Sequence, residues 1–390
     1  MAKTLPFLDL NASGFSTRGP EILAARAQDW CARTPLGLAV LRHSEAGHLL
    51  RDRRLRQGSY AWPTTLKLEG SFAAFWTRSI IGQEGAPHKA QRRIAMAALA
   101  PDWVAHLAPQ FTQTAQDLAN AIDQKCEFIA DFSEPFAGRA ITTLLGLPEA
   151  DAADLAHDAS RLGLAMGLDG KTYEPIFNAA TDRLTQLAQE LIARARAHPN
   201  GDDFVTRLVN AAQGEADQTL IDLIVISIFG GVDTTRAQLG FAMALFADHP
   251  DQWTLMRRNL DLVPQAIEEV IRARPTTTWA TREATETFEF KGHTIRTGET
   301  VHILVHATGT DPHTLPNWSF DITAKRKTHF GFGGGAHHCL GQLVARTDMA
   351  AALRVLAATF DRVDYAGTPE WLPDSGNTSP KRLPLQLSRA

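Results

Sequence analysis

The sequence predicts a mostly α protein with a minor β part, organised as a single domain over residues 1–390. Three observations support this fold class. Helical spacing of apolar residues dominates the chain, strand patterns concentrate between residues 288 and 307, and no strand–helix alternation or internal repeat divides the sequence. With 44% hydrophobic and 21% charged residues, the chain has the composition of a globular protein that buries a large core.

Apolar residues recur with helical spacing in stretches that Gly, Pro and Asn interrupt. The stretches predicted to be helical are 18–57, 88–125, 134–200, 203–213, 217–248, 250–274 and 341–360. The predicted strands are 288–290, 294–296 and 301–307, and the turn sequences KGH and TGE between them would join these strands as a small β-meander. Helices are therefore expected to form the frame of the molecule.

Charge and hydropathy argue against several classes of function. The formal net charge is −4 and the pI is about 6.4, so no overall positive field favours nucleic acid or an anionic membrane surface. Residues 1–21 contain no apolar secretory core, and no stretch reaches the about 18 apolar residues that a membrane span needs. We expect a soluble cytoplasmic protein that binds neither nucleic acid nor membrane.

The three cysteines are an odd number at remote spacings without a CxxC pair, which argues against a disulfide framework or a zinc ribbon. Cys31 and Cys126 are expected to be inert. Cys339 differs because it lies in the stretch THFGFGGGAHHCLGQLVAR, at the start of a predicted helix. Amide groups of the first helical turn would favour its thiolate form, and the preceding glycines would let the backbone fold tightly.

Three chemistries could use this cysteine loop. Cys339 could be the single thiolate ligand of a haem iron, with the glycines letting the backbone lie flat against the macrocycle. It could instead belong to a zinc site whose donors, poorly spaced for zinc, would be His329, His337, His338 and Cys339. GFGGGA at 331–336 could also be a dinucleotide loop, although no buried strand precedes it. A helix-capping cysteine after a Gly-rich turn is the plain structural alternative.

Phe332, Gly335, Cys339 and Gly341 reproduce the FxxGxxxCxG signature of the cytochrome P450 superfamily, and FGGGAHHCLG resembles the form found in its soluble bacterial members. The resemblance implies the cytochrome P450 fold, a triangular helical prism with the haem between a long distal helix and the proximal cysteine helix. It also implies that Cys339 is the axial ligand of a haem b iron and that Phe332 packs beside the sulfur.

The run ISIFGGVDTTRAQLGFAMALF places two glycines inside a predicted helix, where each costs about 1 kcal/mol relative to alanine. From the residues alone, Gly230 and Gly231 are equally compatible with close approach of a flat group and with an ordinary helix crossing. GGVDT resembles the (A/G)GxDT motif of the distal P450 helix. The resemblance implies that Asp233 and Thr234 form an acid–alcohol pair that delivers protons during oxygen activation.

EEVIR at 268–272 puts Glu269 and Arg272 on one helix face, an arrangement that on a surface is worth about 0.2–0.5 kcal/mol. In its place along the chain it resembles the P450 ExxR motif, a structural ion pair beneath the haem. The family commonly has a basic residue before the Phe-Asp of the following loop, where this chain has Ser319 before Phe320. The third partner of the pair is expected to be absent or supplied from elsewhere.

His88 and Arg92 in HKAQRR lie four residues apart, so one helix face could present both to an anion, or the segment could be a solvated basic face. The segment resembles the P450 HxxxR helix that binds haem propionates. By the same resemblance, Arg282 in WATREATE and His337 in the cysteine loop are expected to contact propionates. The matches extend from about residue 18 to the end, in the order typical of the family.

Positions carried over from the family predict the substrate pocket, whose aromatic residues would form either an apolar wall or core. The expected pocket residues are Phe72, Phe75, Trp76, Gly230, Thr277, Thr278 and Asn377. Because the chain has no flavin or nicotinamide fingerprint, electrons are expected from a ferredoxin or flavodoxin and its NAD(P)H-dependent reductase. A basic patch near the cysteine would attract an acidic partner, and its candidates are Lys89, Arg93, Lys325, Arg326, Lys327 and Arg346.

The resulting expectation is a haem-thiolate monooxygenase that inserts one atom of O2 into a small or medium, mainly apolar organic substrate. Atypical chemistry at the same site, such as peroxygenation, coupling, nitration or dehydration, is one alternative, and a non-catalytic haem carrier or sensor is another. The presence of both Asp233 and Thr234 argues against dependence on peroxide. A visible spectrum would separate all of these from zinc or dinucleotide binding.

Overall fold

The computed structural model describes residues 4–10, 12, 14–212, 214–374 and 376–389. Residue 213, at the end of a stretch predicted as helical, therefore lies outside the described residues. The α-helices are α1 (Pro20–Gln28), α2 (His43–Leu49), α3 (Trp62–Thr65), α4 (Gly70–Arg78), α5 (Gly85–Ala98), α6 (Pro101–His106), α7 (Ala108–Ala121), α8 (Glu134–Leu145), α9 (Ala152–Gly163), α10 (Glu174–Ala197), α11 (Phe204–Ala211), α12 (Asp217–Asp248), α13 (Pro250–Arg258), α14 (Val263–Ala273), α15 (Val305–Gly309) and α16 (Gln342–Thr359).

The β part is larger than the sequence predicts. The strands are β1 (Cys31–Thr34), β2 (Gly37–Val40), β3 (Leu55–Gln57), β4 (Lys125–Glu127), β5 (Trp279–Ala284), β6 (Phe288–Phe290), β7 (His293–Ile295), β8 (Thr300–Leu304), β9 (Phe360–Tyr365), β10 (Glu370–Trp371), β11 (Pro380–Arg382) and β12 (Pro384–Arg389). The main sheet has the order β1-β2-β8-β5-β3, in which β2 and β8 are parallel and the other neighbours antiparallel. In the smaller sheets, β12 lies between β4 and β9, β6 pairs with β7, and β10 pairs with β11.

The prediction of a three-stranded β-meander at 288–307 is wrong in part. β6 and β7 pair as the predicted hairpin, but β8 leaves them and joins β2 and β5 in the main sheet. The reason is burial, because Val301 and Ile303 of β8 are fully buried and need a neighbour on each side. The last residues of the predicted strand begin the short helix α15 instead.

The stretch 18–57, predicted to be helical throughout, contains α1, α2 and the strands β1, β2 and β3. In CARTPLGLAV the apolar residues of two short buried strands are adjacent rather than alternating, so they imitate a helical pattern. Gly37 has a φ of 128°, and a Cβ there would lie 2.2 Å from the carbonyl oxygen of Thr300 in β8. The tight pairing of β2 with β8 therefore requires glycine at this position.

Helix α12 has the bounds that its apolar run predicts and lies in the main hydrophobic core. It packs against α8, α9 and α10 and also contacts α14 and α16, which explains why its apolar residues occupy every face. The helix that follows the cysteine, α16, packs against α7 and α14. Within the described residues, no helix combines the length and apolar character required to cross a membrane.

Candidate active site

A cavity of about 500 Å³ is lined by α12, α5, β5 and the loop that precedes α16. Its size is typical of sites for small molecules and cofactors. It brings together predicted site residues that are remote in the sequence: Trp76, His88, Arg92, Gly230, Thr234, Thr277, Arg282, Phe332, His337, Cys339, Gly341 and Asn377. A common location of so many predicted residues makes this cavity the candidate active site.

Three of the predicted pocket residues do not belong to the lining found for this cavity. Phe72 is fully buried in α4, where its ring stacks on Trp76 with centroids 5.6 Å apart and also contacts Phe177 at 4.9 Å. Phe75 is buried beside it, so only Trp76 of this aromatic group reaches the cavity wall. Thr278 is buried as well, and its hydroxyl donates to the carbonyl oxygen of Gly376 at 3.2 Å.

The loop before Cys339 folds by means of glycines with left-handed backbone angles. Gly333 and Gly335 have φ values of 69° and 68°. A Cβ on Gly335 would come within 2.3 Å of the carbonyl oxygen of Leu50, so this position requires glycine. The amide of Cys339 donates to the carbonyl oxygen of Phe332 at 2.9 Å, which closes the loop and holds the phenylalanine and the cysteine next to the cavity.

Burial governs the ionisation of the Cys339 sulfur. It raises the pKa of the thiol, whereas backbone amides of Gly341 and Gln342 and the charges of Arg346 and Arg92 act to lower it. The pKa is raised overall because burial outweighs these contacts, which corrects the expectation that amides at the start of α16 would by themselves favour the thiolate. A bound metal ion would reverse this balance, because metal-coordinated thiols are deprotonated.

Two histidines meet at the cavity wall. The ring centroids of His88 and His337 are 4.0 Å apart, and Nε2 of His337 lies 3.0 Å from Oε1 of Glu84. Burial lowers the pKa of His88 and lowers that of His337 to about 4. Nε2 of His88 is buried and finds no hydrogen-bond partner within the described part of the chain. Such a group is costly unless a ligand satisfies it.

Two guanidinium groups lie at the same wall. Arg92 donates to the carbonyl oxygen of His338 at 2.9 Å, and Arg282 donates to that of Gly334 at 3.0 Å. Burial lowers the pKa of Arg282 to about 10, and no ion pair to a carboxylate within 4 Å is found for either arginine among the described residues. Arg282 is buried and Arg92 is half-buried, and cations removed from water without anionic partners are costly, so this wall has the character of a site for anions.

Asp233 and Thr234 of α12 occupy different surroundings. Thr234 lines the cavity, and its hydroxyl donates to the carbonyl oxygen of Gly230 at 2.6 Å rather than to a more distant group. Oδ1 of Asp233 accepts from Nη2 of Arg236 at 2.9 Å, and these side chains are 13% and 11% exposed. A Cβ on Gly230 would meet no described atom within 4 Å, so the helix presents open space to the cavity here.

Asp348 in α16 is a candidate that the sequence analysis missed. It lines the same cavity, and its Oδ2 accepts from the hydroxyl of Thr235 at 3.2 Å, whereas Oδ1 has no partner in the described part of the chain. Complete burial raises the pKa of Asp348 well above its usual range, which favours the protonated carboxyl, although hydrogen bonds from the Met349 amide and the Thr235 hydroxyl act to lower it. In ARTDMAAAL nothing distinguishes this acid from one that faces solvent on an amphipathic helix.

The pair predicted from EEVIR is buried and has a third member. Nε and Nη2 of Arg272 each donate to a carboxylate oxygen of Glu269 at 2.7 Å. Arg326 reaches the same carboxylate at 3.1 and 3.3 Å and also donates to the carbonyl oxygen of Ser319 at 2.6 Å. Arg326 therefore supplies the cation that position 319 lacks. Since its side chain is only 14% exposed, it does not belong to the basic docking patch expected around it.

The zinc and dinucleotide alternatives find no support in this geometry. Among the described residues, the side chains found grouped closely enough to bind a metal ion are those of Asp29, Cys31 and His293. None of these residues lies in the cysteine loop. His329 faces Glu268 at 3.2 Å rather than Cys339. No strand leads into residues 331–336, which are irregular up to a short turn of 3-10 helix at 335–337.

Comparison with known proteins defines the class. The family model described as Cytochrome P450 matches residues 253–383. Luteothin monooxygenase of Streptomyces thioluteus is 34% identical over 99% of this chain and 97% of its own length, and nocardicin C N-oxygenase of Nocardia uniformis subsp. tsuyamanensis is 27% identical over 89% and 88%. The solved structure of CalO2 has a TM-score of 0.90, with 24% identity and 99% of both chains covered. The chain belongs to the cytochrome P450 family.

Membership confirms the predicted fold class and identifies the protein as an oxidoreductase of the P450 monooxygenase kind. It implies a haem with cysteine-thiolate ligation, an organic substrate, O2 and a redox partner. The residues present fit a haem, since the cavity combines a cysteine sulfur and open space at Gly230 with a His88 nitrogen and guanidinium groups for which the described residues supply no hydrogen-bond partner and no counter-charge, respectively. The single domain over 1–390 stays a prediction.

Proposed function

We propose that the protein is a haem b monooxygenase that inserts one atom of O2 into a small or medium, mainly apolar organic molecule. The observation that carries the proposal is the cavity where Cys339, Thr234 and a cationic wall meet. In this proposal Cys339 would bind the haem iron through its sulfur, and the haem would supply the oxygen-activating chemistry. Phe332 would pack beside the sulfur, the positive φ of Gly335 shapes the loop, and Gly341 lines the cavity.

His88, Arg92, Arg282 and His337 would hold the two haem propionates. In the described part of the chain, Nε2 of His88 has no hydrogen-bond partner, and the hydrogen bonds found for Arg282 go to neutral oxygens, so charge-assisted bonds to carboxylates would give His88 a partner and Arg282 a counter-charge. The hydrogen bonds from Arg92 and Arg282 to backbone carbonyl oxygens would keep both guanidinium groups oriented toward the cavity. Glu269 and Arg272 would act structurally, by fixing the chain that leads into the cysteine loop.

Thr234 would orient a proton donor at the cavity wall through its hydroxyl, and Asp233 would relay protons to that point. The bond from Arg236 holds the carboxylate of Asp233 close to α12, one residue before Thr234. Asp348 would hold a further proton on its own carboxyl, on the side of Thr235. The apolar wall at Trp76 and Phe229 would exclude bulk water, so that protons arrive only through these groups.

The lining of the cavity supports a mainly apolar substrate with one polar contact region. Trp76, Phe229 and Met166 supply apolar surface, and Thr277 donates to Oδ1 of Asn377 at 3.3 Å where two segments meet. Relatives named as a luteothin monooxygenase and a nocardicin C N-oxygenase support the oxidation of an organic molecule. Phe72, Phe75 and Thr278 are not among the lining residues, but the lining that remains still combines mainly apolar side chains with a few polar ones.

Electrons would come from a ferredoxin or flavodoxin and its NAD(P)H-dependent reductase, in the cytoplasm. A groove on the cysteine side, lined by Arg51, His48, Lys327 and His338 among others, supports docking of an acidic partner there. Arg326 and Arg346 are less suitable than expected, because Glu269 and Glu268 neutralise them. Exposed Arg51 and Lys327 would carry the attraction instead.

The test is a spectrum followed by turnover. The reduced carbon monoxide complex should show the Soret band typical of thiolate ligation, and Cys339→Ala should abolish it. Cys31→Ala and Cys126→Ala are matched controls, because burial raises the pKa of both thiols to about 12 and keeps them un-ionised. An unchanged spectrum in Cys339→Ala would contradict the assignment of Cys339 as the iron ligand. If the haem-bound protein consumed no O2 in the presence of an electron donor and substrate, the proposal of monooxygenase activity would be wrong.

A further inference from the structure

A charged cluster packs against the cysteine loop at the ring of Phe332. The guanidinium carbon of Arg346, in the second turn of α16, lies 4.5 Å from the centroid of that ring. Nε and Nη2 of Arg346 donate to the two carboxylate oxygens of Glu268 at 2.6 and 3.1 Å, and Nη1 donates to Oε1 of Gln342 at 2.7 Å. The guanidinium is thus fixed on three sides: by a carboxylate, by an amide and by an aromatic face.

Glu268 is held from the cysteine loop as well. Nε2 of His329 lies 3.2 Å from its Oε2, within ion-pair distance although not aligned as a hydrogen bond. Nδ1 of His329 accepts from the amide of Gly331 at 3.0 Å, which ties the histidine to the segment that contains Phe332. Burial raises the pKa of Glu268, but the contacts with His329 and Arg346 lower it to about 2, so the carboxylate stays ionised.

We propose that Arg346 and Glu268 are positioning residues that set the reduction potential of the haem through the Phe332 and Cys339 side of the site. The inference rests on the proposed role of Cys339 as the thiolate ligand. A positive charge over Phe332 stabilises the added electron of the reduced state, and the carboxylate of Glu268 opposes this effect. Charges and dipoles around a thiolate ligand are a known means by which a protein adjusts a metal potential.

Partner docking is the competing role for Arg346, whose side chain is 33% exposed. A docking residue acts through the encounter with the donor protein, so its removal would slow electron transfer and leave the potential of the isolated enzyme unchanged. A tuning residue acts without any partner present. The two roles therefore separate in a measurement on the holoenzyme alone.

The experiment is a spectroelectrochemical titration of the ferric–ferrous couple with small-molecule mediators. Arg346→Met keeps the length of the side chain and removes the charge, so the potential should become more negative. Glu268→Gln keeps the shape and leaves Arg346 uncompensated, so the potential should become more positive. At a fixed applied potential, we expect the ferrous-to-ferric ratio to fall several-fold in Arg346→Met and to rise several-fold in Glu268→Gln. A tenfold change in this ratio corresponds to about 59 mV for a one-electron couple.

Matched variants separate charge from structure. Arg346→Lys keeps the charge without the fork and should stay close to the parent potential, and the double change of Arg346→Met with Glu268→Gln should fall between the single variants. Arg354→Met removes a cation from the same helix farther from the cysteine and should have no effect. Each holoenzyme is first checked for the thiolate carbon monoxide spectrum, which reports that the loop is intact.

Two outcomes would overturn the inference. Unchanged potentials, or shifts of the same sign in both single variants, would show that the pair does not act through its charge. An unchanged potential with slower reduction by the donor protein would assign Arg346 to docking. Both results leave the proposed function intact, because failure of that function would appear separately as a thiolate spectrum that persists in Cys339→Ala.

Discussion

The cysteine side and the α12 side of the site differ in how completely their buried polar groups are hydrogen-bonded. On the cysteine side, the amide of Cys339 closes a hydrogen bond to Phe332, and behind the residues that line the cavity both oxygens of Glu269 are bound by arginines. On the α12 side, Thr234 bonds to its own helix, and Asp348, which meets Thr235 of α12 from α16, keeps one carboxyl oxygen without a partner in the described part of the chain. Satisfied buried networks fix a structure, whereas unsatisfied ones mark places where a ligand, a water or a proton enters.

The largest expected effect tests the α12 wall. Asp233→Asn should slow product formation by about 10²–10⁴-fold, as typical for lost acid–base assistance, with the spectrum and substrate affinity nearly unchanged. Thr234→Ala should act differently, because oxygen and electrons would still be consumed but more would leave as hydrogen peroxide. Product formation and peroxide release, measured together under single-turnover and steady-state conditions, distinguish the two.

Asp217→Asn is the matched control for the acid. It changes the same residue type in the same helix, in an exposed ion pair with Arg196 away from the cavity. It should leave rate and coupling unchanged. Wild-type rates and coupling in both Asp233→Asn and Thr234→Ala would mean that the pair is only a feature of the helix.

The next effect tests the cysteine side. Glu269→Gln should lower the free energy of unfolding of the holoenzyme by about 3–5 kcal/mol, because it leaves buried Arg272 without its counter-charge. These side chains are 2% and 1% exposed, so solvent cannot compensate. Denaturant unfolding at fixed haem occupancy measures the change. A loss below about 1 kcal/mol, the range of surface pairs, would contradict the network described for this wall.

Sequence reasoning succeeded where a local pattern determines the outcome. The bounds of α12 follow from one apolar run, and Cys339, His88 and Arg282 reach one cavity because each belongs to a motif with its own spacing. It failed where tertiary packing decides which way a side chain faces. Phe72 and Trp76 are neighbours on one helix, yet only Trp76 reaches the cavity, and no local signal separates them.

Short strands and single charges were missed for a related reason. β1 and β2 are buried on one sheet with β8, which lies more than 250 residues away along the chain, so neither has a strong pattern of its own. Asp348 acquires its altered pKa from complete burial, which a sequence with an ordinary helical acid does not reveal. Arg326 looked like part of an exposed basic run because its partner, Glu269, belongs to another helix.

The smallest expected effect tests whether the third cation of the Glu269 network has moved from position 319 to position 326. Arg326→Gln should lower the free energy of unfolding by about 1–3 kcal/mol, the cost of a lost charged hydrogen bond. The backbone at Ser319 already lies beside the network, because its carbonyl oxygen accepts from Arg326 at 2.6 Å and from Arg272 at 3.4 Å. An arginine introduced at 319 would start from backbone that lies beside the network, and we expect Ser319→Arg to restore stability to Arg326→Gln. Lys327→Gln removes the exposed neighbouring cation and should cost little. A loss no greater in Arg326→Gln than in Lys327→Gln would show that the Glu269 network does not depend on a third cation. No recovery in the double variant would show that position 319 cannot supply that cation.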